Sequence, residues 1–442
     1  MELAGWGRYP KARCTVLHPR SEQALRAAVA GISGPVIARG MGRAYGDSAL
    51  NREATIDMRA LNHMLAFDPE GGLLTVEAGV VLGDIIESFL PRGWFPSVTP
   101  GTKLVTVGGM IAADVHGKNH HRDGSFGNFV EWIDLLGPDG EVRRCSREEN
   151  SELFGWTIGG MGLTGIVLRA AFHLRPVETG WIRQKILPAP NLDDAMAAFE
   201  EADDRTYSVA WIDCLATGDR LGRSLLLLGE HALVEELDSS KQRQPFRTPR
   251  KRKLRVPVNA PAWALNRWSV QAFNTLYYRN GVRSAGEDFI DWDSYFYPLD
   301  AILDWNRIYG RRGFVQFQCV LPLKASREGL AELLRATAAS GQGSFLAVLK
   351  RFGRQESLFS FPMEGYTLAL DFPVNRKSLA LLQTLDAATL AHGGRFYLAK
   401  DARMKAETFA EADPRVADFR SMRDKVQAAA RFASLQSERL SI

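Results

Sequence analysis

Over the first 180 residues, short apolar runs alternate with polar positions and are separated by glycine. Leu25, Ala28, Val29 and Ile32 recur at helical spacing behind Ser21, which predicts a capped helix. Residues 35–39, 54–58 and 73–80 predict strands, and 82–90 a short amphipathic helix. Two apolar runs, 130–136 and 141–145, flank Gly137-Pro-Asp-Gly140, a hairpin turn signal. Residues 165–174 predict a further strand ending near Pro176.

From 180 to 394 the elements lengthen. Residues 191–202 and 327–339 predict amphipathic helices, and 207–215, 313–323, 345–352 and 366–374 predict strands. Strand alternation puts Gln316 and Gln318 on one face. That face is either the wall of a polar cavity or a solvent-facing edge. After 395, a strand over 395–399 precedes a helical tail. Alternation there places Phe396, Leu398 and Lys400 together. A lysine among such neighbours either snorkels to the surface or is buried, and a buried one pairs with an anion or lowers its pKa. The stretch 238–261, rich in proline, lysine and arginine, reads as a mobile insertion.

Composition narrows the classes. At 442 residues, 45% hydrophobic and 24% charged, the chain is a globular protein of two or three domains. The net charge is +4, and the stretch 241–255 alone holds eight Lys/Arg and no acid. The rest is slightly acidic, so no nucleic-acid partner is expected. Cys14, Cys145, Cys214 and Cys319 form no CxxC pair, which fits a reducing compartment. No secretory leader and no apolar run of ~18 residues is evident, so a cytoplasmic chain is expected.

The candidate chemistry lies in three glycine clusters. Gly40-Met-Gly-Arg-Ala-Tyr-Gly46 follows a strand but has the wrong last spacing and no following helix for a dinucleotide fingerprint. Its N–H groups could form an anion nest, or simply a tight surface turn. Gly108 and Gly109 sit where a short helix begins, a place that attracts anions. The third cluster is Gly159-Gly-Met-Gly-Leu-Thr-Gly165. Together they fit a backbone wrapped around a large planar, phosphorylated cofactor. His116, His120 and His121 lack an HExxH pattern and a third ligand, so no metal is expected. His116 reads instead as a base beside the cofactor, or as a hydrogen-bonded structural residue.

These segments, taken in order, resemble the flavin-dependent decaprenylphosphoryl-β-D-ribose oxidases, of the vanillyl-alcohol-oxidase (PCMH-type) FAD superfamily. The resemblance rests on Gly5-Trp-Gly-Arg8, Arg39-Gly-Met-Gly-Arg-Ala-Tyr-Gly-Asp47, Thr106-Val-Gly-Gly109, Asp114-Val-His-Gly-Lys-Asn-His-His121, Gly124-Ser-Phe-Gly-Asn128, Gly162-Leu-Thr-Gly165, Trp305-Asn-Arg-Ile-Tyr-Gly310 and Ala399-Lys-Asp401. It implies an α+β fold: a two-part FAD-binding domain, residues 1–179 and 395–442, with a substrate domain, 180–394, inserted on a mainly antiparallel sheet. Arg39, Gly40, Met41, Gly42, Arg43, Ala44, Tyr45, Gly46 and Ser48 would cradle the pyrophosphate. Gly101, Thr106, Val107, Gly108, Gly109, Ala113, His116 and Gly117 would surround the flavin, joined by Val167, Tyr397 and Lys400. Tyr45, His116, Trp211, Gln316, Gln318, Lys350 and Ala369 would line the substrate pocket.

The implied reaction oxidises the 2′-hydroxyl of a polyprenylphosphoryl-β-D-ribose, with hydride passing to flavin N5. An NAD(P)H-dependent short-chain reductase would complete a ribose-to-arabinose epimerisation. Lys400 and His116 are the implied catalytic pair, either of which could take the hydroxyl proton. The competing reading is an aldonolactone or alditol oxidase on a related fold. Covalent relatives carry histidine where this chain has Arg43, so FAD is expected to be non-covalent. Two positions depart from the family: Ala369 stands where mycobacterial members have cysteine, and Phe296 where members have tyrosine. The basic stretch 241–255 is a candidate peripheral contact with an anionic membrane, aided by Trp263 and Trp268.

Overall fold

The structure, a computed structural model, describes residues 1–249, 251–261, 264–344 and 346–442. Helices pack on mostly antiparallel sheets in an α+β arrangement. The N-terminal part holds a small parallel sheet, in which Ala54–Asp57 lies between Val16–Leu17 and Val36–Arg39. It also holds an antiparallel sheet in the order Val142–Ser146, Val130–Leu136, Ile166–Pro176, Leu73–Glu77, Met64–Phe67. Trp94–Pro96 pairs with the far end of Ile166–Pro176. The hairpin expected across 137–140 forms, with Val142 opposite Leu136. The Ser21 hydroxyl accepts the Ala24 N–H and caps Glu22–Ala30. Leu82–Phe89 turns Leu82, Ile85, Ile86 and Phe89 into the core beside this sheet.

The second part is built on one antiparallel eight-stranded sheet. Its order is Gly286–Asp291, Trp181–Ala189, Ser224–His231, Tyr207–Ile212, Ala347–Phe352, Gly365–Pro373, Phe314–Pro322, Arg395–Phe396. Strand alternation gives the sheet two unlike faces. Phe317, Cys319, Leu321, Leu349, Leu368 and Leu370 join a core with Leu333, Leu334, Leu381, Leu382 and Leu385 of the helices Leu323–Ser340 and Arg376–Ala391. Burying each large apolar side chain contributes roughly 1.5–3 kcal/mol. A slip of one residue would exchange the faces, so this core fixes the register. The opposite face presents Val209, Trp211, Gln316, Gln318, Val348, Lys350, Thr367 and Ala369 to a cavity. Gln316 and Gln318 are therefore a buried polar wall, not a solvent edge.

Three expectations change. The strand foreseen over 395–399 stops at Phe396, after pairing with Cys319 and Val320. The chain then turns, the Lys400 N–H donating to the Tyr397 carbonyl at 3.0 Å. Lys400 therefore reaches its position from a turn, not by alternation along a strand. The stretch 238–261 is docked rather than looped out. Leu254–Arg255 pairs in parallel with Ile302–Leu303, and Phe246 packs against the N-terminal core. Lys251 and Arg255 form ion pairs with Asp293 and Asp304 at 3.6 and 3.5 Å, partners that lie far away in the chain. Arg250 and Trp263 lie outside the described residues, as does Phe345 of the strand expected over 345–352, which is Ala347–Phe352.

The C-terminal segment returns to the N-terminal part. Ala428 and Phe432 share a core with Leu25, Val29, Val36 and Ile56. Arg431 donates to the carbonyls of Ile32 and Gly34 at 2.6 and 2.8 Å, just past the C-terminus of Glu22–Ala30, where a cation is favoured. Arg439 donates to Asp47 at 2.7 Å and to Asp401 at 2.9 Å. One guanidinium thus ties the first glycine loop to the turn that carries Lys400. Arg439→Ala would leave two buried carboxylates facing each other with no bridging cation, since Arg403 nearby is paired with Asp386. The expected loss is ~3–5 kcal/mol, read as a lower Tm and denaturant midpoint. An unchanged midpoint would show that this ion pair does not hold the segment.

Candidate functional site

A cavity of about 660 Å³ lies between the glycine loops and the polar face of the large sheet. Small-molecule and cofactor sites commonly span ~300–1,000 Å³. On the loop side, Val36–Arg39 delivers the first glycine cluster. Gly42 has φ +64°, the left-handed region that favours glycine. Backbone bonds brace this loop from both ends of the chain. Trp6 N–H donates to Ala44 O at 2.8 Å, Gly7 N–H to Tyr45 O at 3.0 Å, and Tyr45 N–H to Ala399 O at 2.9 Å. Beyond it, the Thr106 hydroxyl accepts the Gly109 N–H at 3.4 Å and opens Val107–Ala112.

This side has the shape of a backbone cradle. A Cβ on Gly101 would meet no atom within 4 Å, and one on Gly109 only the Thr106 hydroxyl. The space beside both is therefore open to a ligand. Backbone N–H groups at such a place suit phosphate oxygens. Arg43 adds a cation at the cavity wall, its guanidinium 4.1 Å over the Trp6 ring. Burial lowers the Arg43 pKa and nearby Asp300 opposes that shift. Asp300 itself is held by Thr102 at 2.7 Å and the Lys103 N–H at 2.8 Å. These residues fit a dinucleotide cofactor.

Three lysines line the cavity, Lys350 from the sheet, Lys118 from the segment after His116 and Lys400 from the turn after Phe396. Lys400 places its ammonium 3.8 Å over the Tyr45 ring. Burial lowers its pKa and Lys350 lowers it further, while Asp371 pulls the other way. Burial raises the pKa of Asp371, which accepts a hydrogen bond from Gln316 and leaves one oxygen unpartnered. Lys350, on Ala347–Phe352, is lowered to about 8 by burial. Lys118 is lowered to about 7 by burial and by Lys350, and donates to the Tyr295 carbonyl at 2.5 Å. Such shifts are expected where cations are desolvated side by side.

His116 is buried, and burial with the charges of Lys350, His120 and Lys400 keeps its pKa far below the ordinary value. The ring is neutral. The Gln318 amide donates to its Nε2 at 3.1 Å and to the Thr367 hydroxyl at 3.3 Å. In this arrangement Nδ1 carries the proton and has no hydrogen-bond partner among the described residues. His120 and His121 turn elsewhere, to Gln355 at 2.9 Å and the Arg205 carbonyl at 2.7 Å. Asp114, at φ +38°, redirects the chain into this segment and accepts from Ser125 and the Gly127 N–H.

Most residues expected at the site line the cavity together. Gly40, Met41, Gly42, Arg43, Ala44, Tyr45, Ser48, Gly101, Thr106, Gly108, Gly109, Ala113, Val167 and Tyr397 all line it. Trp211, Gln316, Gln318, Lys350 and Ala369 stand on the sheet, with His116 and Lys400 between. Four do not reach the lining. Arg39 is turned away to the Ala4 and Ala49 carbonyls, and Val107 is in the core. Gly46 packs on Asp401 and Ala402, and Gly117 packs on Asn119 and Thr99. Lys118, Asp300, Thr367 and Asp371 were not foreseen. Alternation along Gly365–Pro373 points Thr367, Ala369 and Asp371 to one face and could have found two of them. Lys118 is buried by Tyr295 and Phe296, distant in the chain, so no local signal marks it.

Comparison with known proteins places this geometry. Residues 15–146 match the FAD binding domain family. The chain is 37% identical to decaprenylphosphoryl-β-D-ribose oxidase of Mycolicibacterium smegmatis, over 100% of this chain and 97% of that one. An uncharacterized protein of Streptomyces coelicolor is 35% identical over 82% of this chain and 100% of its own. Cytokinin dehydrogenase 5 of Arabidopsis thaliana is 31% identical over 39% of this chain and 34% of its own. The cradle and the cavity are thus those of an FAD-dependent oxidoreductase acting on a CH–OH group. The chain belongs to the decaprenylphosphoryl-β-D-ribose oxidase family.

Arginine at position 43, where covalent relatives have histidine, gives FAD no point of attachment in the first glycine loop. Acid precipitation of the purified protein is expected to leave all yellow colour in the supernatant. Colour retained on the washed pellet would contradict non-covalent binding.

Proposed function

We propose that the chain oxidises the 2′-hydroxyl of a polyprenylphosphoryl-β-D-ribose to the 2′-ketone. The observation that carries this reading is the trio of half-buried lysines that line one cavity together with the glycine loops. FAD, when bound, supplies the two-electron acceptor for the C2′ hydride. The chain's own task is to hold the sugar and remove the hydroxyl proton. Lys400 is the base in this reading, because burial and Lys350 favour its neutral amine. Asp371, whose charge pulls the Lys400 pKa upward, steadies the ammonium that forms. His116 takes a positioning role, since its Nε2 lone pair is already engaged by Gln318. Lys118 and Lys350 suit the phosphodiester of the substrate, as neither has an ion-pair partner among the described residues.

Two further assignments accompany this reading. The ketone is the substrate of an NAD(P)H-dependent short-chain reductase that completes the epimerisation. The stretch 241–255 serves as a peripheral contact with an anionic membrane surface. There Lys241, Lys251 and Arg255 are engaged by Asp238, Asp293 and Asp304, while Arg243, Arg247, Arg252 and Lys253 have no ion-pair partner among the described residues. No described helix is long and apolar enough to cross a membrane.

Anaerobic rapid mixing of the FAD-loaded enzyme with polyprenylphosphoryl-β-D-ribose tests the base. A neutral amine accepts the proton, so flavin reduction should speed up as pH rises through an ionisation well below that of ordinary lysine. Lys400→Met should slow reduction ~10²-fold or more and abolish that pH step. A variant that keeps the rate and the profile would remove Lys400 from the mechanism.

A further inference from the structure

The helix Arg267–Arg283 stands at the rim of the cavity, where its Tyr277 forms part of the lining. It is a surface helix with an unusual outer face. Val270 and Asn274 are its buried residues. Trp268, Phe273, Leu276 and Tyr277 are 75%, 42%, 60% and 41% exposed. Phe273, Leu276 and Tyr277 stand at i, i+3 and i+4 and are neighbours on the helix surface. Tyr277 stacks on Phe273 at 5.7 Å between ring centroids. On its inner side it meets Trp211, on the sheet wall, at 4.8 Å. An apolar strip therefore runs from inside the cavity, through Tyr277, to the outer surface.

The two ends of this strip differ in chemistry. Its inner end opens on a cavity lined by the amines of Lys118 and Lys350, neither of which has an ion-pair partner among the described residues. Its outer part lies on a helix without a single acidic residue, so nothing there repels an approaching anion. Exposed apolar strips of this kind mark binding surfaces more often than accidents of composition. A ligand that satisfies both ends is an amphiphile with an anionic group inside and an apolar chain leading out. We infer that Trp211, Tyr277, Phe273 and Leu276 carry the first isoprene units of the substrate's tail out of the cavity. The inference rests on the function proposed above and extends it to how the lipid is recognised.

The test compares farnesylphosphoryl-β-D-ribose with methylphosphoryl-β-D-ribose as reductants of the FAD-loaded enzyme under anaerobic conditions. The wild type should bind the farnesyl compound roughly tenfold or more tightly, from the apolar area its tail covers. Phe273→Gln combined with Leu276→Gln, outside the cavity lining, should lose most of that gain. Its reduction by the methyl compound should match the wild type, which also reports that the variant is folded. A variant that keeps the full farnesyl preference would overturn the inference. Equal affinity of the wild type for both compounds would overturn it while leaving the function intact. Reduction by neither compound would overturn the function and the inference together. Variant-sensitive sedimentation with anionic vesicles, without any dependence on tail length, would assign the strip to a bilayer surface instead.

Discussion

One half-buried guanidinium sets the geometry on which the site depends. Arg439, near the C-terminus, lies between Asp47 of the first glycine loop and Asp401 beside Lys400. Burial works against the charge of Asp401, yet Arg439 and Arg403 hold its pKa below the ordinary value. Arg439 is raised despite its own burial, by the same two carboxylates. Such a network adds little net stability compared with a well-packed apolar core, but it has one satisfied arrangement. Here that arrangement fixes the cofactor cradle and the lysine turn relative to each other. Gln436 reinforces it by donating to the Leu398 carbonyl at 2.8 Å.

The same logic places the other wall. The large sheet is oriented by its apolar face, which buries aliphatic side chains against two long helices. Its polar face is then left to point at the cradle, whatever polar residues it carries. The Gly5–Arg8 segment joins the two walls directly. Phe314 N–H donates to the Gly7 carbonyl at 2.7 Å, while Trp6 and Gly7 N–H groups bond to the glycine loop. The substrate strand Phe314–Pro322 and the cradle are therefore spaced by two layers of backbone hydrogen bonds, not by long side chains.

Local periodicity made most of the fold legible. The helix after Ser21, the hairpin at 137–140 and the central strands of the large sheet formed within a few residues of their expected bounds. What failed was set by distant partners. The strand expected over 395–399 is cut short because the Ala399 carbonyl accepts the Tyr45 N–H and the Lys400 N–H closes back on Tyr397. The 238–261 stretch has the composition of a loose insertion, but Asp293 and Asp304 supply acids to its basic run 241–255, which has none. Lys118 was hidden for the same reason: its burial comes from Tyr295 and Phe296, almost 180 positions away in the chain. Glycine spacing pointed to the cradle because backbone approach needs glycine locally. Nothing local reports which lysine is desolvated.

The lysine trio also accounts for the division of labour at the site. Three ammonium groups in one cavity repel one another, and with water excluded that repulsion is weakly screened. Lys118 and Lys350 stand lowered to about 7 and about 8, both by burial first. Only Lys400 has an opposing carboxylate among its causes, in Asp371. An amine that must gain a proton during turnover benefits from such a partner, because the ammonium it becomes is then paired. An amine that must hold a phosphodiester benefits from having none, because the ligand supplies the counter-charge. A monoanionic ligand relieves the repulsion between Lys118 and Lys350, and so raises their proton affinity as it binds.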